Sequence, residues 1–161
     1  MKTIVVGYDA SDAAQRVLDR AAEFAEALAA RLVVVSVSEP PVPPTAPVLE
    51  PTGPMLVPGG ATGTVLTGGT APLAEPEPDP KELARRRLDQ ARSRLGSRSL
   101  EADYVAEVGS PAERLLVVAD ERDAELIVVG HGEHGFLERL VMQPVEEAVA
   151  RRAERDVLIV H

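Results

Sequence analysis

The spacing of apolar positions along the chain changes period several times, and each change marks the end of one element and the start of another. Thr3 to Val6 is a short apolar run rich in β-branched residues, as a buried strand requires, and Gly7-Tyr8-Asp9-Ala10-Ser11 supplies a turn after it. The spacing then becomes helical. Ala14, Leu18, Ala21, Ala25 and Leu28 recur at steps of three and four, which predicts one buried stripe, while Asp12, Arg16, Asp19, Arg20, Glu23 and Glu26 fall mostly elsewhere. Ser11 or Asp12 is placed to cap this helix. Arg31 to Ser38 reads as a second strand, apolar enough to be covered on both faces, and that is the mark of a parallel sheet.

The same alternation returns later in the chain. From Lys81 onward, Ala84, Leu88, Ala91 and Leu95 mark a helical stripe, and Tyr104 to Val108 reads as a third strand. Gly109-Ser110-Pro111-Ala112 is a helix start, with Ser110 at the cap and Pro111 at the first helical position; Leu115, Leu116 and Ala119 follow as the buried face. Leu126 to Val129 is a fourth apolar strand, broken by Gly130, Gly132 and Gly135. Beyond them Leu137, Val141, Val145 and Val149 recur at four-residue steps, and Val157 to Val160 closes the pattern as a fifth strand. Strands alternating with helices predict a five-stranded parallel α/β sheet with helices on both faces. Ligands in such sheets lie where the strand order reverses, which makes Asp9 and Gly130 neighbours.

One stretch departs from this alternation. Between about 39 and 80 the chain holds most of its prolines and half of its glycines, so neither a helix nor a central strand persists there. It reads as an irregular insertion in a single domain spanning 1–161, either a mobile linker or, given Val48, Leu49, Met55, Leu56, Val57, Val65 and Leu66, a cover for the site or a partner. Composition narrows the function classes. Aromatics are 2% of the chain, which leaves few stacking platforms for bases, and a formal net charge of −9 opposes tracking of nucleic-acid phosphates. The arginines Arg85, Arg86, Arg87, Arg92 and Arg94 read as a solvated helix surface, offset by acids elsewhere. With no cysteine there is no thiolate chemistry or cysteine metal site. The opening residues lack the form of a signal peptide and no apolar run reaches bilayer length, so the expectation is a cytoplasmic protein without nucleic-acid or membrane partners.

Candidate chemistry concentrates after the fourth strand. Backbone N–H groups in a glycine loop, and at a helix start behind it, hold anions when the backbone approaches closely. Gly130-x-Gly132-x-x-Gly135 spells a dinucleotide fingerprint, but it lacks an acidic residue ending a following strand, since Asp156 precedes its strand. His131, Glu133 and His134 are a thin set for a metal, being two imidazoles and one acid on a loop. No nucleophile–base pair is evident, because Ser11 has no base fixed beside it by sequence.

Three segments carry a resemblance to the universal stress protein family of the UspA type. They are IVVGYDASDAAQRVLDRAAEFA, with Asp-x-Ser after the first strand; GSPAERLLVVADERDAELIVVG; and the ending RDVLIV. The resemblance covers the chain outside the insertion. It implies a flavodoxin-like, doubly wound sheet of strand order 3-2-1-4-5 and a homodimer paired through the last strand, here Val157 to Val160. Many members bind ATP and others bind no nucleotide. In the binders an aspartate after strand one meets the adenine, while Gly-x-x-Gly, nine residues, then Gly-Ser or Gly-Thr hold ribose and phosphates. Asp9 and Gly130 match the aspartate and the first glycine, but Glu133 stands at the second glycine and Gln143-Pro144 at the final pair.

These departures weaken an anion site. A carboxylate 4 Å from a phosphate charge costs about 1 kcal/mol in water and about 4 at an effective dielectric of 20. That corresponds to roughly one to three decades of affinity. Pro144 removes a backbone donor from the helix start, and Glu146 and Glu147 already complement the helix dipole. The sequence therefore implies a non-enzymatic stress-response protein with a degenerate ATP loop and weak or no ATP binding, acting through an unknown protein partner and with no cofactor assured. The alternative is a sensor of ATP or AMP with an altered phosphate loop. Its site residues would be Gly7, Asp9, Ser11, Val35, Gly130, His131, Gly132, Glu133, Gly135, Gln143, Pro144 and Val145.

Overall fold

The computed structural model describes residues 2–40, 78–131 and 144–161. Its elements run β1 (Thr3–Gly7), α1 (Asp12–Leu28), β2 (Arg31–Ser38), α2 (Pro80–Leu95), β3 (Ala102–Val108), α3 (Pro111–Glu121), β4 (Leu126–Gly130), α4 (Val145–Arg152) and β5 (Asp156–Val160). The strands form one sheet in the order β3-β2-β1-β4-β5, and every neighbouring pair is parallel. This is the doubly wound, flavodoxin-like order expected from the sequence. Val6 pairs with Val34 on one side and Val128 on the other, so the central strand is walled by β-branched residues.

Successive strand residues point to opposite faces, and both faces are covered. Ile4, Val6, Leu32, Val34 and Val128 pack beneath α1 and α2. Val5, Val33, Val35, Ile127 and Val129 pack beneath α3 and α4. Ala21, Ala22 and Ala25 are buried on α1, and with so few aromatic residues available these small side chains let the helix lie close to the sheet. Each fully buried Leu18, Leu32 or Ile127 contributes about 1.5–3 kcal/mol of transfer free energy.

Several sequence expectations shift when the chain is folded. Leu28 lies 48% exposed on the last turn of α1, and Val17 and Ala22 occupy the buried face instead, because the apolar stripe follows the sheet surface only as far as Ala25. On α3, Val118 is buried and Leu116 only partly so. β3 begins at Ala102 rather than Tyr104, as pairing with Leu32 recruits two more residues. α2 begins at Pro80, where a missing N–H costs the helix nothing. All of 41–77, and with it most of the expected insertion, lies outside the described residues, as do Leu137 and Val141. No helix among the described residues is long and apolar enough to cross a membrane.

Candidate functional site

The site is assembled from the carboxyl ends of β1, β2 and β4. At the end of β1 the Tyr8 N–H donates to Val35 O at 2.8 Å, which continues the β1–β2 ladder by one residue and fixes where the loop leaves the sheet. The Asp9 carboxylate accepts from the Ser11 N–H at 2.9 Å, Ala10 takes a left-handed conformation with φ 69°, and Ser11 Oγ accepts from the Ala14 N–H at 3.1 Å. Asp-x-Ser is therefore a turn that closes on itself and caps α1. At the end of β4 the His131 N–H donates to Val160 O at 2.8 Å, extending the pairing with β5 past Gly130.

The two strand-end glycines are fixed by close approach. A Cβ on Gly7 would lie 3.1 Å from Leu115 Cδ1, and one on Gly130 would lie 2.9 Å from Val17 Cγ2. Between these strand ends is a cavity of about 200 Å³. Its apolar walls come from Val35 and Val37 of β2 and from Pro111 and Leu115 of α3. Gly7, Asp9, Ser11, Val35, Gly130, His131 and Val145, all expected site residues, line it together. Pro144 is set back from the lining and serves as the N-cap residue of α4, where its ring offers no side-chain hydrogen bond. Gly132, Glu133, Gly135 and Gln143 lie outside the described residues.

Two polar lining side chains, and the apolar walls from Val37, Pro111 and Leu115, are not among the expected site residues. Tyr8 is buried, and burial pushes its phenol up from the ordinary value; the Arg94 guanidinium opposes the rise, and the Asp9 and Asp19 carboxylates add to it. It presents a neutral hydroxyl. Glu146 is 6% exposed in the cavity wall, with Oε1 3.1 Å from His131 Nδ1. The signal for it was present, since Glu146 precedes the buried Val149 by three residues and so shares its face of α4. The His131 ring also lies against that of His161, centroids 5.1 Å apart and planes tilted by 45°.

Elsewhere the geometry ties up candidate groups. Arg94 donates to Asp19 at 2.6 and 3.0 Å and to Gln15, Arg87 donates to Val37 O, and Arg92 lies 4.6 Å over the Tyr104 ring. These arginines fasten α2 to α1 and to the sheet, beyond the solvated surface expected of them. Among the described residues no group of three or more histidine, aspartate or glutamate side chains is arranged to hold a metal ion; Glu133 and His134 lie outside them.

The sequence model of the universal stress protein family matches residues 1–57 and 62–161. Universal stress proteins from two strains of Mycobacterium tuberculosis are each 34% identical over 160 residues, covering 99% of this chain and 96% of theirs. Among solved structures, a universal stress protein in complex with cAMP is 29% identical with a TM-score of 0.60, covering 99% of this chain and 96% of that one. A member of the family from Burkholderia pseudomallei is 27% identical with a TM-score of 0.63, covering 99% and 95%. The fold is also that of a universal stress protein from Archaeoglobus fulgidus, 24% identical with a TM-score of 0.63 over 100% and 94% of the two chains. By sequence and by strand order alike, the chain belongs to the universal stress protein family.

Proposed function

We propose that this chain is a non-enzymatic stress-response protein whose crevice binds an adenine nucleotide with a single phosphate, cyclic AMP or AMP, in preference to ATP. The observation that carries the reading is the cavity where the strand order reverses, with Asp9 at the β1 end and apolar walls from Val35, Val37, Pro111 and Leu115. At about 200 Å³ it is below the roughly 300–1,000 Å³ of most ligand pockets, which suits a flat base inside and a phosphate at the mouth. The 29% identical universal stress protein in complex with cAMP supports the same ligand class here.

The loop sequence argues against a triphosphate. Glu133 and Gln143-Pro144 replace the glycines and the hydroxyl residue of the ATP-binding pattern, which removes backbone approach and one donor and adds a like charge. A hydrolytic role finds no support in Ser11, whose hydroxyl accepts the α1 capping bond and has no base among its hydrogen-bond partners in the described residues. The family's pairing through the last strand extends to a homodimer here, built on β5.

Titration calorimetry with cyclic AMP, AMP and Mg-ATP tests the reading. Micromolar binding of a monophosphate, with ATP at least tenfold weaker, is the expected result. Absence of adenine-nucleotide binding at millimolar concentration overturns the nucleotide reading, and ATP binding tighter than either monophosphate overturns the preference.

A further inference from the structure

The first turn of α4 carries two glutamates whose surroundings differ. Glu147 faces outward, its side chain 47% exposed and 2.6 Å from Arg151 one turn on. Glu146 turns inward and forms part of the cavity wall. A buried carboxylate is held there only when its lost hydration is replaced, and its ion-pair contact among the described residues is the His131 imidazole at 3.1 Å. His131 thereby lies with that nitrogen against Glu146 at the edge of the cavity. The described lining contains the carboxylates of Asp9 and Glu146 and this one imidazole, with no lysine or arginine. Such a wall has little positive charge to set against a polyphosphate.

We propose that Glu146 is the residue that selects ligand charge in this crevice: with His131 holding it in the wall, it admits a nucleotide with a single phosphate, the singly charged cyclic diester most readily, and excludes di- and triphosphates. The inference rests on the crevice being a nucleotide site, and it adds which side chain sets the charge limit. Each further phosphate charge brought beside a carboxylate in a partly dry pocket is repelled more strongly than in water, so discrimination grows with ligand charge.

The test is the ratio of Mg-ATP to cyclic AMP affinity in the unmodified chain and in the variants Glu146→Gln, Glu147→Gln and His131→Gln, each verified as folded by circular dichroism. Glu146→Gln is expected to tighten ATP at least tenfold while changing cyclic AMP by less than threefold. Glu147→Gln, which removes the same charge from the outer side of the same turn, is expected to move the ratio by less than twofold. His131→Gln removes the imidazole that lies against the carboxylate and is expected to shift the ratio further against ATP, which keeps the inference testable if Glu146→Gln fails to fold. An unchanged ratio in both Glu146→Gln and His131→Gln overturns the role of Glu146, as does an equal shift in Glu147→Gln. If the unmodified chain binds neither nucleotide, the nucleotide reading falls and takes this inference with it; if cyclic AMP binds and the ratio stays fixed, only the role of Glu146 is lost.

Discussion

Gly130 and Val17 meet so closely that a Cβ on the glycine would stand 2.9 Å from Val17 Cγ2. The contact ties the end of β4, which lines the crevice, to the fully buried Val17 of α1. Gly130 does not need a left-handed backbone, so its reason is steric. Replacing glycine by alanine at a compatible backbone position stabilises a chain by about 0.4–1 kcal/mol through the unfolded state. Overpacking against a β-branched side chain costs about 1–3 kcal/mol, and here it is expected to win. Gly130→Ala should lower the unfolding free energy measured in urea by that net amount, and adding Val17→Ala should restore part of it, with non-additivity above about 0.5 kcal/mol. Additive effects would show that the contact carries no strain.

The two serines at helix starts are expected to behave differently. Ser11 Oγ accepts from the Ala14 N–H at 3.1 Å, whereas Ser110 occupies the same position of α3 without a side-chain capping bond. Ser11→Ala should cost about 1 kcal/mol, the usual worth of such a cap. Ser110→Ala should fall within the roughly ±0.5 kcal/mol of an ordinary surface change. Equal losses in chemical denaturation would mean that Ser11 is valued for something other than its hydroxyl.

Legibility in the sequence followed the physics of periodicity. The stripe Ala84, Leu88, Ala91 and Leu95 is the whole buried face of α2, because a regular amphipathic helix repeats its inward positions. The adjacency of the first and fourth strands was legible from the rule for doubly wound sheets, whereas the full order 3-2-1-4-5 came from the family resemblance, since alternation of strands and helices alone does not place every strand. Leu28 misled because apolarity does not report where a helix outruns its sheet. Glu146 is ambiguous in sequence: its spacing to Val149 places it on the buried face of α4, while an acid at a helix start has an ordinary use against the dipole, and folding decides between the two by turning it toward His131.

The Asp19–Arg94 pair makes stability depend on acid pH. Hydrogen bonding from Arg94 holds the Asp19 carboxyl below its ordinary value; burial works against this, and the charges of Arg94 and Arg98 reinforce it. The folded-state pKa is therefore below the unfolded one, near 3.9. Such a group adds stability that is fully present above the unfolded pKa and is lost as pH falls through the folded one. Asp19→Asn is expected to lower the urea midpoint at pH 6 and to flatten the decline below about pH 4. An acid limb of unchanged slope would show that the pair links α1 to α2 without contributing to the pH dependence.

The proposed homodimer makes the side of α1 above β5 the surface most sensitive to charge. Asp19 and Glu26 of α1 reach Arg94 and Arg98 on and just after α2, so Phe24 and Leu28, about half a turn round the helix from those acids, face the opposite flank, toward β5. They are 40% and 48% exposed, and on the same side of the sheet Leu158 and Val160 of β5 are only partly buried. Strand pairing alone covers little area, whereas a stable interface needs about 800 Å² from each partner, so this apolar flank is expected to supply the remainder. Phe24→Glu with Leu28→Glu should weaken self-association at least tenfold in sedimentation velocity, since like charges then face each other across a two-fold axis. Thermal stability of the monomer should change little, because neither residue belongs to the core. A chain that sediments as a monomer before substitution sinks the dimer itself, whereas a dimer indifferent to both glutamates places its contact away from α1.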